Sequence, residues 1–442
     1  MFLLCELHPI FFKYKRMKKT IALLSIAGLL FACGPKSQND SEIFTTINGQ
    51  KISLLRVDLA PDSATTVGWS ALFEDVEMIP LETSEECMIM NSQTTFTDHS
   101  LILSTQIGMG DPCRVYEFGM DGRFIREIGG TGKGPGEHTG YFMEDATYHP
   151  NEKLLKVQFN GIYPHIQYFN DVGQLFEEID CPVELVQDVA RLEDDIYVVA
   201  GALAGRPEYL RDSASLFWFN KTGEIIKTLE RVDYPPKNSS GYTPWGGRAA
   251  LYQYDDNWHF HNPGDDTVYQ LEGLNLIPQA IFKYGEKHTP INKIIDPQAW
   301  VGTYSVEIIG EREAYWILEK RVITKQKMNE YRPGQWGGEY GADYFNLIVD
   351  KTNGAVYNVK LTDDLLGFVP DDYSSEGIKF DPLGQTYRIY QALDVVEWID
   401  KGLEEGSIAE KKLAKVKALR DKIDEESNPV LFLFKERKEY KI

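Results

Sequence analysis

Apolar and polar residues alternate along much of this chain, in short segments that meet at turns. In Val115 to Glu137, VYEFGMDGRFIREIGGTGKGPGE, one alternating segment reaches the turn Asp121-Gly122 and a second leads into a glycine-rich corner. Apolar residues at every second position on both sides of an Asp-Gly turn are typical of a β-hairpin. This stretch therefore predicts two antiparallel strands followed by a tight corner.

The hairpin pattern recurs, and the first four of its five turn glycines lie about 50 residues apart: Gly122, Gly173, Gly223, Gly273 and Gly354. The later copies read IQYFNDVGQLFEEID, LFWFNKTGEIIKTLE, VYQLEGLNLIPQAIFKYG and FNLIVDKTNGAVYNVKL. Repeats of about 40 to 50 residues with several strands each indicate a β-propeller. We expect each copy to supply two outer strands, and apolar segments such as Ile196 to Ala200 to supply inner ones.

The count of hairpins predicts an all-β fold, a six-bladed β-propeller with short C-terminal helices. Five blades contain the visible hairpins, and the segment Trp69 to Ile89 is the sixth candidate. The apolar segment Pro429 to Lys435 predicts a last strand that closes the ring against an early blade. An array of immunoglobulin-like sandwiches would need a longer repeat with Cys or Trp landmarks, which this chain lacks.

Residues 53–442 are assigned to the propeller. Insertions are predicted near 287–343, in two irregular segments, His288 to Trp300 and Lys325 to Tyr344. Helices are predicted near 386–426. The first is indicated by apolar residues that recur at helical spacing from Tyr387 and Tyr390 onward. A charged helix then follows from Ile408, with Ser407 as its N-cap, and packs on the last blade.

The N-terminus indicates export. From Met17 the chain reads MKKTIALLSIAGLLFACG: two lysines, an apolar run too short to span a membrane, and small residues before Cys33. Leu30 to Cys33 looks like a bacterial lipobox, in which cleavage precedes a cysteine that then carries lipid. An ordinary signal peptide with a chance cysteine is the alternative. Residues 1–32 are assigned to the signal peptide, with 1–16 as an over-extended start, and residues 33–52 to a lipidated tether.

The glycine corner carries a resemblance to a known family. Asp121-Gly122, Phe124 and the run GxGxGPGE that ends at Glu137 resemble the six-bladed β-propeller lipoproteins of Bacteroidetes, which are themselves similar to NHL repeats. Asp266 to Tyr269 (DTVY) and Asn428-Pro429 also fit that pattern. The resemblance implies a lipoprotein anchored in the cell envelope, at the periplasmic or surface face of the outer membrane. It implies no common ligand or chemistry.

Charge and cysteine content narrow the class of partner. The formal net charge of −21 disfavours nucleic acid and anionic membrane surfaces, since both repel an acidic chain. Beyond Cys33 the chain has only Cys87, Cys113 and Cys181, too few for a disulfide framework. A single bridge from Cys87 to Cys113 and buried free thiols both remain open.

Several motifs suggest chemistry, each with a plainer interpretation. The corner GGTGKGPGE resembles a phosphate-binding loop, but Gly134 follows Lys133 where a Walker loop needs Ser or Thr. His259 and His261 would share one face of a strand and are weak candidates for a metal site, with no third ligand nearby. Acidic pairs such as Asp363-Asp364 lack the spacing of a calcium loop and fit turns better.

Aromatic residues in irregular segments are the strongest ligand hypothesis. Such residues on loops suit stacking on sugar rings or contacts with a protein partner, although they also pack blade ends. The candidates are Trp245, Trp300, Tyr304, Trp336 and Tyr340, with Tyr344 beside them.

The leading function is a non-catalytic binding module without a cofactor. Its ligand would be a small molecule, a glycan or an envelope protein, held at a ring face or in the central channel. The alternative is a metal-dependent hydrolase or lactonase, with channel carboxylates around one Ca²⁺ or other divalent ion.

Overall fold

The structure is a computed structural model in which strands make up 53% of the described residues. It describes residues 43–47, 49–106, 113–138, 143–159, 165–182, 186–192, 195–201, 215–229, 250–262, 265–287, 301–324, 342–371, 377–381 and 383–440. Six small sheets form a ring, so the predicted six-bladed β-propeller is confirmed.

The first described strands of the chain join the last three blades. These are β1 (Phe44–Ile47), β2 (Gln50–Leu55), β3 (Thr65–Gly68) and β4 (Phe73–Pro80). The first two strands lie in part of the chain that the sequence analysis assigned to a tether.

Blades 1 to 3 follow in chain order, and each is a four-stranded antiparallel sheet. Blade 1 comprises β5 (Asn91–Phe96), β6 (Ser100–Gln106), β7 (Arg114–Gly119) and β8 (Phe124–Glu127). The short parallel pair β9 (Gly130–Thr131) and β10 (Glu137–His138) connects it to the next blade. Blade 2 comprises β11 (Met143–His149), β12 (Leu154–Phe159), β13 (His165–Asn170) and β14 (Leu175–Asp180). Blade 3 comprises β15 (Val186–Arg191), β16 (Ile196–Gly201), β17 (Leu216–Asn220) and β18 (Ile225–Leu229).

Blades 4 to 6 complete the ring. Blade 4 comprises β19 (Ala250–Tyr254), β20 (Asn257–His261), β21 (Thr267–Glu272) and β22 (Asn275–Phe282). Blade 5 comprises β23 (Tyr304–Glu311), β24 (Tyr315–Ile323), β25 (Ala342–Asp350) and β26 (Val356–Thr362). Blade 6 comprises β27 (Lys379–Phe380), β28 (Thr386–Tyr390) and β29 (Val430–Glu436), with β4 as its outer strand.

The five predicted hairpins are the two outer strands of blades 1 to 5. Their strand pairs are β7–β8, β13–β14, β17–β18, β21–β22 and β25–β26. The apolar segment Ile196 to Ala200 lies in β16, the second strand of blade 3, and residues 197–200 are fully buried. Their burial explains why this segment does not alternate.

Blade 6 is built from both ends of the chain. The predicted closing strand, β29, pairs antiparallel with β4 from Val430 opposite Pro80 to Glu436 opposite Phe73. Trp69–Ala71 is a short 3-10 helix that leads into β4, so the segment Trp69 to Ile89 supplies one strand of the sixth blade.

The N-terminal strands also extend two neighbouring blades. Strand β2 pairs parallel with β22 at the outer edge of blade 4, and β1 pairs with β2 farther out. Strand β3 pairs parallel with β26 at the outer edge of blade 5. The chain therefore follows the rims of blades 4, 5 and 6 in turn before it enters blade 1.

The core consists of six apolar clusters, one between each pair of neighbouring blades. Tyr168 and Tyr197, for example, pack between blades 2 and 3, and Trp218 and Phe260 pack between blades 3 and 4. Each blade therefore buries both faces, which makes the stability of the ring depend on every blade-to-blade contact.

The turn glycine of the first hairpin is architectural. Gly122, with φ of 83°, forms the turn of the β7–β8 hairpin, and a Cβ there would lie 2.3 Å from the carbonyl oxygen of Pro80. The backbone N–H of Glu82 donates to the carbonyl oxygen of Gly122 at 2.8 Å. Glycine is required at this turn because the chain that leaves β4 passes directly against it.

Helices α1 (Ala392–Glu405) and α2 (Leu413–Arg420) lie between β28 and β29 and pack on blade 6 with Phe432 and Phe434. Their predicted limits were wrong. Tyr387 and Tyr390 belong to β28, and Ser407 lies in the turn between the helices. The backbone N–H of Ala409 donates to the carbonyl oxygen of Leu366 at 2.9 Å, which holds this turn against the end of blade 5. Neither helix, within the described part of the chain, is long and apolar enough to cross a membrane.

The predicted insertion near 287–343 contains two strands of blade 5, β23 and β24. Most of its two irregular segments, residues 288–300 and 325–341, lies outside the described residues. Cys87, Cys113 and Cys181 are buried free thiols, so the free-thiol alternative holds and the bridge from Cys87 to Cys113 is not formed.

Asn428 connects the two ends of the chain just before β29. Its side-chain amide donates to the carbonyl oxygens of Glu82 and Cys87 at 2.6 and 2.7 Å and accepts from the N–H of Ile89 at 2.9 Å. We expect Asn428→Ala to lower the free energy of unfolding by about 3 kcal/mol, because it leaves buried backbone groups unpaired. Urea denaturation followed by tryptophan fluorescence measures the change.

The matched control is Asn275→Ala, at an exposed position where β22 begins. Its unfolding free energy should change by less than about 0.5 kcal/mol. Equal effects of the two substitutions would contradict the role assigned to Asn428.

Candidate functional site

The innermost strands of the blades surround a central cavity of about 180 Å³. Its walls are mostly apolar or neutral and come from five blades. They include Thr94, Thr95, Ala146, Thr147, Val189, Leu251, Tyr252, Gln253 and Phe380. Two charged side chains line it, Lys156 and Asp381.

Lys156 is buried, with 1% of its surface exposed, and extends from the second strand of blade 2. Its Nζ donates to the carbonyl oxygen of Val189, on the innermost strand of blade 3, at 2.8 Å. A buried ammonium needs such partners, so this contact links two blades beside the channel.

Asp381 lies on the opposite wall, at the end of β27. Its carboxylate accepts from the hydroxyl of Thr95 and from the backbone N–H of Phe96, each at 3.1 Å. It also accepts from the backbone N–H of Leu383 at 2.8 Å. Burial raises the pKa of Asp381 to about 6, although these hydrogen bonds act to lower it. The carboxylate thus joins blade 6 to blade 1 and has its acceptor sites largely occupied.

A larger cavity of about 500 Å³ opens at one face of the ring, over blade 3 and between blades 2 and 4. We call it the face cleft. It is lined by hairpin turns and adjoining strand ends, with residues 149–152 from blade 2, 191, 192 and 196 from blade 3, and 253, 256–258 and 271–273 from blade 4. Gln253 and Trp258 line both the cleft and the central cavity.

Arg191 is the one cation among the described residues that line the face cleft, and its charge is paired. Its Nη1 lies 3.0 Å from Glu152 Oε1, and its Nη2 lies 3.1 Å from Asp195 Oδ1. Burial alone would lower the pKa of Arg191, but the carboxylates, Glu152 first, outweigh it and hold the pKa above its usual value. This network joins the first turns of blades 2 and 3 and fixes one wall of the cleft.

The opposite wall comes from two turns of blade 4. Trp258 is 8% exposed and its ring lies 5.6 Å from that of His149, across the top of blade 3. Asn257 donates to the carbonyl oxygen of Asp255 at 2.6 Å and accepts from Gln270 at 3.0 Å, so its side chain is held in place. The side chains that face the cleft are thus set by rigid hairpins.

Most of the chain matches a known protein family. The family described as "Domain of unknown function (DUF4934)" matches residues 54–435. The chain belongs to the DUF4934 family. No curated protein matches it.

Among solved structures, the DUF4934 chain is similar to a "putative exported protein" from Bacteroides fragilis NCTC 9343. The two share 16% sequence identity over 87% of this chain and 100% of that one, with a TM-score of 0.59. The WD40 domain of Toxoplasma gondii coronin shares 9% identity over 72% of this chain and 70% of that one, with a TM-score of 0.35. At 16% identity the likeness to the Bacteroides fragilis protein bears on the fold alone.

His259 and His261 lie on β20 of the DUF4934 fold and face blade 5, away from the face cleft. They are 5% and 1% exposed, and burial lowers the pKa of each to about 4. His259 stacks on Tyr252 with the ring centroids 5.2 Å apart. No group of three or more His, Cys, Asp or Glu in the described ranges is arranged to hold a metal ion. The two histidines are therefore packing residues in this structure.

The structure describes two of the six aromatic residues in this hypothesis, Tyr304 and Tyr344. Tyr344 lies on β25 and is 45% exposed, with the guanidinium of Arg321 5.6 Å from its ring centroid. Tyr304 begins β23, is 4% exposed, and donates from its hydroxyl to the carbonyl oxygen of Tyr284 at 2.8 Å. A side chain buried this deeply between blades 4 and 5 offers no surface to a ligand. The other four candidates lie outside the described residues: Trp245, Trp300, Trp336 and Tyr340. Cys33 lies outside them as well.

The acidic pair Asp363-Asp364 organises a turn. The carboxylate of Asp363 accepts from five backbone N–H groups of residues 365–369, and Asp364 accepts from the N–H of Ser70 at 2.8 Å. These bonds make the pair structural, as the absence of calcium-loop spacing had indicated.

The face cleft was missed by the sequence reasoning. Its residues lie in the turns after the first strand of blades 2, 3 and 4, and the repeat itself places those turns at one face. Aligning the inner hairpins of the repeats as well would have brought residues 150–153, 192, 195 and 255–256 together.

Asp381 gives a prediction on pH dependence. Its folded-state pKa of about 6 exceeds the usual 3.8, so as the pH falls the folded chain binds this proton before the unfolded chain does. Protonation of Asp381 therefore raises the free energy of unfolding as the pH falls from about 7 to 4.5. Across this pH range, we expect the free energy of unfolding of the wild-type protein to increase by on the order of 2 kcal/mol relative to that of Asp381→Asn.

Urea denaturation of both proteins at several pH values measures this difference, and comparison with the variant cancels the many other titrating groups. A difference that stays constant between pH 7 and pH 4.5 would contradict the assignment.

Proposed function

We propose that this chain is an exported, lipid-anchored binding protein that takes its ligand in the face cleft and carries out no chemistry on it. The observation that supports this most is the contrast between the two cavities. The cleft is wide, open and bordered by mixed polar and apolar side chains, as ligand sites are. The central cavity is smaller, and both of its charged side chains, Lys156 and Asp381, are already hydrogen-bonded to the protein.

The alternative is a metal-dependent hydrolase or lactonase with its ion in the channel. Such a site needs several carboxylate or imidazole groups that converge from different blades. Among the channel residues described, Asp381 is the one carboxylate, and three hydrogen bonds from the protein occupy it. This arrangement supports binding over hydrolysis.

Export and anchoring follow from the N-terminal segment that ends at Cys33. The likeness to an exported protein of Bacteroides fragilis supports export. Residue 43 begins the described chain at the outer rim of blade 4, away from the face cleft. The ten residues from Cys33 to that point reach at most about 35 Å. An anchor at Cys33 would therefore hold the propeller near the membrane and leave the cleft accessible.

Metal analysis tests the choice between binding and hydrolysis. We expect the protein purified without chelator to contain much less than one divalent ion per chain by inductively coupled plasma mass spectrometry. The described side chains that line the channel would hold a divalent ion only weakly and exchangeably. One tightly held Ca²⁺ or Zn²⁺ per chain, retained through dialysis, would overturn the proposal in favour of the hydrolase.

Cys33→Ala tests the anchor. Without the thiol no lipid can be attached, so the variant should move from the membrane to the soluble fraction after cell lysis and ultracentrifugation. Cys181→Ala, a buried thiol within the propeller, is the control and should stay with the membrane. A Cys33→Ala protein that remains membrane-bound would contradict the lipobox.

A further inference from the structure

We infer that the face cleft binds an uncharged, hydroxyl-rich ligand, a neutral saccharide. The inference rests on the proposed function and specifies its ligand class. It follows from how apolar, charged and amide groups are distributed around the cleft.

The cleft has an apolar floor and a polar rim. Leu192, Leu271 and Trp258 are 9%, 6% and 8% exposed, so they form its deeper surface. Asn151 and Glu272 are exposed at its border. A pyranose ring has the matching character, with C–H groups on its faces and hydroxyl groups around its edge. Burial of those C–H faces on Leu and Trp side chains would supply the apolar part of the affinity.

Charge disfavours an anionic ligand. Arg191, the one cation that lines the cleft, is paired with Glu152 and Asp195. Asp256 and Glu272 remain exposed at the rim, and the whole chain has a net charge of −21. Among the described lining residues, a phosphate or uronate would meet two exposed carboxylates and an arginine already paired, which makes acidic sugars and nucleotides poor ligands.

The amides favour hydroxyl groups over a simple amine. Asn151 and Gln253 both line the cleft, and a primary amide offers two donors and an acceptor. A hydroxyl group both donates and accepts, so it can pair with amides and carboxylates alike. An ammonium group only donates, so it would leave the N–H donors of these amides without a partner. A saccharide therefore uses more of the polar groups present.

The experiment is isothermal titration calorimetry on the mature chain without its lipid. Neutral probes are cellohexaose, maltohexaose, xylohexaose, laminarihexaose and mannohexaose, and the charged probes are tetragalacturonic acid and spermidine. We expect saturable binding of at least one neutral hexasaccharide. Glu272→Ala and Asn151→Ala should each weaken it about tenfold, since each removes a hydrogen-bonding group from the rim. Glu286→Ala, exposed but outside the cleft, is the matched control and should bind as wild type does.

Failure of the inference is distinguishable from failure of the proposed function. Binding of spermidine or tetragalacturonic acid in preference to the neutral sugars, lost in Glu272→Ala or Asn151→Ala, would overturn the saccharide class but keep the cleft as a binding site. Neutral-sugar binding that neither substitution weakens would place the ligand elsewhere and overturn the inference. Binding of none of the probes would overturn it as well.

Discussion

The pairing of β4 with β29 is the contact on which the rest of the ring depends. The two strands lie about 350 residues apart in the chain, and seven register pairs join them, so closure is strongly non-local. Both faces of blade 6 pack against neighbours, with Val430, Leu431 and Phe432 fully buried. Without β4 the outer edge of this blade would be open, and the clusters on either side of it would lose one wall.

Closure also makes the ring asymmetric. The N-terminal strands cover the outer edges of blades 4 and 5 on their way to β4. The outer strands β8, β14 and β18 of blades 1 to 3 receive no further strand among the described residues. Large apolar side chains are exposed on these edges, including Ile125, Phe176 and Ile225. The face cleft lies over the part of the ring where this open edge meets the covered one, on turns held by the blades beneath.

Much of the fold was predictable because it is encoded locally. Each outer hairpin carries its own turn glycine and alternating strands, as Gly122 and Gly173 show. The pairing of β2 and β3 with blades 4 and 5 was not predictable, since their partners β22 and β26 lie far away in the chain and the repeat does not contain these strands. The limits of α2 failed for a similar reason, because the turn from 407 to 412 is fixed by contact with Leu366. The candidate site was harder to predict than the fold. His259 and Tyr304 suggested a metal site and a ligand contact from the sequence, but both are buried by packing between blades. A single sequence does not show that packing.

The proposed function depends on which side chains remain exposed to a ligand. Channel groups such as Lys156 and Asp381 hold blades together, whereas Asn151 and Glu272 are exposed at the border of the face cleft. That division requires a rigid, closed ring. Amide hydrogen exchange by mass spectrometry tests it most directly, at peptides covering β4. The account predicts that residues 73–80 exchange as slowly as β29 and the buried strand β16. Rapid exchange of residues 73–80 while β16 stays protected would show an open ring and contradict it.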